Sequence, residues 1–71
     1  MNTKQQIARI INRYGYLLPE GERVTNYQFA DLLKKHFSIN NPIVFKEWNW
    51  IRDNIELYWE NHNNRIKVIK I

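Results

Sequence analysis

The sequence predicts a mainly α domain, three helices followed by a short C-terminal β-strand or hairpin. Three observations carry that prediction. Apolar residues recur at helical spacing in three separate stretches, each opened by a capping residue. The terminal run Arg65-Ile66-Lys67-Val68-Ile69-Lys70-Ile71 is rich in β-branched residues and bounded by asparagines, so it reads as extended. At 71 residues the chain holds a single small domain, residues 1–71.

The first helix spans Thr3 to Tyr14. Ile7, Ile10, Ile11 and Tyr14 fall at i, i+3, i+4 and i+7, one face of a helix. Thr3-x-x-Gln6 reads as a capping box, and Arg9 and Arg13 lie four apart on the outer face. Gly15 suits a left-handed residue that stops the helix. The connector Gly15 to Val24 carries a turn at Pro19-Glu20-Gly21, with Leu17 and Leu18 tucked under the core and Arg23-Val24 as a very short strand.

The second helix runs from about Asn26 to Phe37, opened by the capping box Thr25-x-x-Gln28. Phe29, Ala30, Leu32, Leu33 and Phe37 form its apolar face. Lys34, Lys35 and His36 complement the helix dipole in the last turn. The third helix starts near Pro42, with Asn41 as N-cap and proline in the first turn. Val44, Trp48, Ile51 and Ile55 follow at helical spacing. Its end has two readings. Tyr58 and Trp59 continue the stripe, taking the helix to about Asn61. Alternatively it stops near Asn54, and Glu56–Glu60 pairs with Arg65–Ile71 across Asn61-His62-Asn63-Asn64, a turn rich in the residue that tolerates left-handed backbone. The partner of the terminal strand is residues 56–60, Arg23-Val24 or another chain.

Composition excludes several classes. No cysteine is present, so disulfides and thiolate zinc sites are ruled out. Ten aromatic residues, or self-association, must supply the extra support a small core needs. No stretch approaches the ~20 apolar residues that span a bilayer, and the N-terminal residues lack the apolar run of a signal peptide. The expected location is the cytoplasm. Ten Asn and ten Ile against two Ala and two Gly suggest an AT-rich bacterial or phage genome.

Catalysis finds little footing. The histidines are His36 and His62, the only serine is Ser38, and no His-x-x-x-His pair exists. Glu20 with Glu22, and Glu56 with Glu60 and Asp53, read as solvated acidic faces rather than acid–base pairs. No enzyme activity, cofactor or metal is expected.

The charge is more informative. The chain carries +4 overall, with a pI near 9.6, within the range of nucleic-acid-binding domains. Residues 42–61 nevertheless set Lys46 and Arg52 against Glu47, Asp53, Glu56 and Glu60, a balance that opposes approach to phosphate. The last ten residues carry Arg65, Lys67 and Lys70 and no acid.

The order helix, extended connector, helix, turn, helix, hairpin resembles a winged helix-turn-helix domain over nearly the whole chain. Val24-Thr25-Asn26-Tyr27-Gln28-Phe29-Ala30-Asp31-Leu32-Leu33 looks like the first helix of the motif, with its small alanine facing the partner helix. The turn Ser38-Ile39-Asn40-Asn41-Pro42 lacks the small residue usual there. The resemblance implies that the start of the third helix docks in the major groove of double-stranded DNA and that residues 61–70 form the wing. Asn40, Asn41, Lys46, Asn49 and Arg52 would then reach bases and phosphates, and Arg65, Lys67 and Lys70 would contact phosphates. The implied protein is a small DNA-binding transcriptional regulator of bacterial or phage type, acting as a dimer.

The competing reading is a protein-interaction module, an adaptor or an inhibitor of a host protein. Ile43, Trp50 and Leu57 lie seven apart. On a long third helix they would form a second apolar stripe, left bare as a dimer or partner surface.

Overall fold

The computed structural model describes residues 2–70. Three helices, α1 (Thr3–Tyr14), α2 (Asn26–His36) and α3 (Pro42–Asp53), pack with three strands, β1 (Arg23–Thr25), β2 (Leu57–His62) and β3 (Arg65–Lys70). With a 3₁₀ turn at Gly15–Leu17, helices take about 55% of the described residues and strands 22%, so the sheet is a larger part of the fold than the short terminal element expected. It is antiparallel, in the order β1-β2-β3.

The helix starts follow local chemistry. The Thr25 hydroxyl accepts from the Gln28 N–H, while the Gln28 side chain accepts from the Thr25 N–H. The expected capping box is therefore complete. Asn41 caps α3 by accepting from the Ile43 N–H at 2.9 Å, ahead of Pro42. At α1 the expectation needs correcting. The N-cap is Asn2, whose Oδ1 accepts from the Gln5 N–H at 2.8 Å, and Thr3 is the first helical residue. Asparagine caps at least as well as threonine, so the helix begins one residue earlier than the capping box implied.

Gly15 also differs from expectation. Its φ of −59° and ψ of −27° are right-handed, and the chain runs on into a 3₁₀ turn over Gly15–Leu17. Space is tight there: a Cβ would meet Cγ1 of Ile66 at 3.3 Å. The left-handed glycine is Gly21, at φ 81°, in the turn closed by the Glu22 N–H donating to the Pro19 carbonyl.

The third helix stops at Asp53, so the long-helix reading is overturned. Asn54 leaves helical geometry and its Nδ2 donates to the Trp50 carbonyl at 2.6 Å. That is a local bond of the kind by which asparagine competes with helix. Ile55 consequently lies outside the helix and is exposed rather than in the apolar stripe. Residues 57–62 turn back as β2, which pairs with β1 on one side and β3 on the other. The terminal strand's partner is thus β2, and Arg23–Thr25 pairs with β2, not with β3. The hairpin closes His62 against Arg65 over Asn63 and Asn64, both left-handed at φ 53° and 61°. Two such residues make the hairpin turn whose twist matches the strands. Ile71, assigned from the sequence to the terminal strand, lies outside the described residues.

The core gathers Ile10 and Tyr14 of α1, Leu17 and Leu18, Val24, Phe29, Ala30 and Leu33 of α2, Val44 and Ile51 of α3, and Trp59 of β2. Trp59 sits at its centre, fully buried, edge-on to Phe29 at 4.7 Å between ring centroids. Its indole N–H donates to Oδ1 of the equally buried Asn26. Asn61, also buried, donates to the Leu18 carbonyl at 2.8 Å, and its own backbone bonds Gly21 and Glu22. One side chain and one peptide thus tie the connector to the sheet.

Candidate nucleic-acid interface

The inward side of α3 is set by Val44, Glu47 and Ile51, all buried. At about 100° per residue, Lys46, Asn49 and Arg52 fall together on the opposite side. Those three predicted contacts therefore share the outward half of α3, Lys46 exposed and Asn49 and Arg52 half-buried, with exposed Phe45 and Asp53 alongside. Arg52 is held by its neighbours. Its Nε and Nη2 donate to Oδ1 of Asp53 at 3.2 and 3.1 Å, and its guanidinium lies 4.6 Å from the Trp48 ring centroid. Phe45 also stacks on Trp48, with 6.1 Å between ring centroids. Asn40 and Asn41 stand exposed just before the helix, but the Asn41 Oδ1 is already used in capping.

Glu47 changes the electrostatics of this helix. Sequence arithmetic counts it against phosphate binding, yet it is buried and its Oε1 accepts from Nη1 of Arg13 at 3.0 Å. Glu60 lies on the sheet, 3.7 Å from Arg23. Of the four acids between residues 42 and 61, only Asp53 shares the outward half of α3, and Arg52 is bonded to it. Beside the Arg13–Glu47 pair, the Tyr14 phenol is pushed up to about 12, first by burial and then by the Glu47 carboxylate; Arg13 partly opposes the shift.

A cleft between α1 and α3 is lined by Arg9, Arg13 and Lys46, with Ile43 and Trp50 among its apolar residues. Arg9 is a candidate contact that sequence reading missed. The four-residue spacing of Arg9 and Arg13 was visible, but not that this face of α1 lies beside α3.

Two groupings from the sequence require correction. Ile43 and Trp50 share the cleft, but Leu57 is buried on β2. The continuous Ile43-Trp50-Leu57 stripe does not exist, because α3 ends four residues before Leu57. The hairpin cations do not gather beside the front of α3 either. Cross-strand pairs share a face, so Lys70 sits with Leu57 on the inner side and lines a hollow with Asp53, Asn54 and Glu56, at the far end of α3. Arg65 and Lys67 pair with His62 and Glu60 on the outer side, which faces away from the core. The period of two along a strand separates Lys70 from Arg65 and Lys67.

Among the described residues, no group of three or more His, Asp or Glu is placed to hold a metal ion, and no helix is long and apolar enough to cross a membrane. No protein-family model, curated protein or solved structure matches this chain.

Proposed function

We propose that the protein is a small, non-enzymatic DNA-binding regulator of bacterial or phage type, with a winged-helix-like fold whose α3 enters the major groove. The element order helix, strand, helix, helix, hairpin supports the reading. The observation that carries it is the outward series of exposed Lys46 and half-buried Asn49 and Arg52, relieved of Glu47 by the latter's burial against Arg13. Lysine and arginine serve phosphate or guanine, and asparagine can pair with an adenine edge. Arg9, across the cleft from Lys46, extends the basic surface toward one DNA backbone. Arg65, Lys67 and Lys70 lie outside this surface.

The test is fluorescence anisotropy with a labelled random-sequence duplex over a range of salt concentrations. Binding should weaken steeply with salt, and Lys46→Glu or Arg9→Glu should each lower the logarithmic salt slope by about one. Lys70→Glu should leave the slope in place. Salt-insensitive binding, or a Lys46→Glu variant that binds as the parent does, refutes the reading.

A protein-interaction module is the second reading, favoured by one observation. Ile43 and Phe45 are exposed in the first turn of α3, 58% and 44% respectively, where apolar area suits a partner better than water.

A further inference from the structure

Among the described residues, strand β3 is an edge of the sheet and pairs with β2 on one side only. It runs six residues without proline. In an antiparallel ladder every second residue turns its N–H and C=O away from the existing partner, so the free edge presents a row of backbone donors and acceptors. Over residues 65–68 the side chains on the two faces differ, cations outside and apolar residues inside. Arg65, Lys67 and Ile69 project from the outer face, opposite His62, Glu60 and Tyr58, and Arg23 lies 3.7 Å from Glu60. Ile66, Val68 and Lys70 occupy the inner face, Ile66 and Val68 only half-buried, with Ile66 beside Gly15 at the end of α1.

We propose that this edge accepts an extended polypeptide strand in which acidic and apolar residues alternate. Alternation follows from the strand period of two. An added strand in register sets its acids beside Arg65 and Lys67 on one face. Its apolar residues then lie beside Ile66 and Val68 on the other, finishing the burial that α1 leaves incomplete. A second copy of β3 fits poorly. In every register its six residues offer Arg65 and Lys67 no acid, and centred on Ile66 or Lys67 it sets like charges across the strands, which repel. A duplex matches the cations but neither the row of backbone groups nor the apolar face. The edge is therefore a contact separate from the α3 strip, and its occupancy does not depend on the DNA reading.

The experiment uses the full chain and the labelled hexapeptide acetyl-Val-Glu-Ile-Glu-Val-Glu-amide, followed by fluorescence anisotropy. Saturable binding is expected. Three changes should each weaken it by about tenfold or more: blocking the acids together in a peptide of the same composition, N-methylating alternate peptide nitrogens on the edge-facing side, and the double variant Arg65→Glu, Lys67→Glu. Where that variant fails to fold, the two altered peptides decide the matter. Absence of saturable binding overturns the proposal. So does equal binding of the blocked peptide, which would mean charge attraction alone, or indifference to N-methylation, which would mean no ladder forms. Complete displacement of the peptide by duplex DNA also overturns it, by making the edge a nucleic-acid surface. A chain that binds the hexapeptide but no duplex refutes the DNA reading and leaves this one standing.

Discussion

Arg13 of α1 and Glu47 of α3 meet at 3.0 Å, the carboxylate almost wholly buried and the guanidinium half in water. This pair joins the first helix to the last and removes an acid from the face that α3 presents. Its energetics are asymmetric. The carboxylate lost its hydration on folding, whereas the guanidinium kept much of its own, so removing Arg13 strands a charge and removing Glu47 does not.

Arg13→Ala should therefore destabilise the fold by roughly 1–3 kcal/mol, below the usual loss for a fully buried pair because half-exposed guanidinium is screened. Glu47→Gln should be milder, since the amide still offers an acceptor and no buried charge remains. Urea denaturation of the two variants checks the order; a larger loss for Glu47→Gln would contradict it.

Tyr14 links stability to alkaline pH. Its phenol is raised from the ordinary value of 10.0 to about 12 in the folded protein, so the folded chain holds this proton more tightly than the unfolded chain. Stability from this group is complete below pH 10 and is lost as pH rises toward 12. Tyr14→Phe should show a shallower decline of the urea midpoint over that window and should lack the latest phase of phenolate absorbance. An unchanged decline would place the effect elsewhere.

Gly15 needs room rather than a special backbone angle. Gly15→Ala should be tolerated, because the contact at 3.3 Å is with the side chain of half-buried Ile66, which can shift. Gly15→Val should drive the hairpin from α1 and cost about 1–3 kcal/mol, the usual range for overpacking. Melting temperatures of both variants test this; equal losses would favour a backbone requirement.

Asn61 holds the connector. Asn61→Ala leaves the Leu18 carbonyl without its donor, a loss of about 1–3 kcal/mol for a buried acceptor. Because the Gly21 N–H donates to the Asn61 carbonyl, its hydrogen exchange should quicken more than that of amides in α3. Uniform acceleration would mean only global destabilisation.

Much of the fold was legible because its signals are local. Thr25 with Gln28, and Asn41 with Pro42, announce helix starts through bonds made within a few residues. Pro19-Glu20-Gly21 announces a turn through glycine's access to positive φ. The end of α3 was ambiguous because Ile55, Leu57, Tyr58 and Trp59 satisfy both a helical and an alternating pattern. Glu47 stood three residues after Val44 and four before Ile51, a core position by spacing, but a charged residue there becomes intelligible only with a partner 34 positions away. Likewise the missing Cβ of Gly15 was plain, whereas the reason for it, Ile66, lies on the far hairpin.

The residues themselves determined that three helices and an extended C-terminal segment would form, and where α2 and α3 would begin. Caps, turns and periodicity act over spans of about four residues and need no distant contact. Tertiary structure decided that Trp59 becomes the centre of the core, that Glu47 turns inward, and that Lys70 parts company with Arg65 and Lys67. Those outcomes follow from strand register and from burial against distant segments, where a shift of one residue exchanges the faces of a strand.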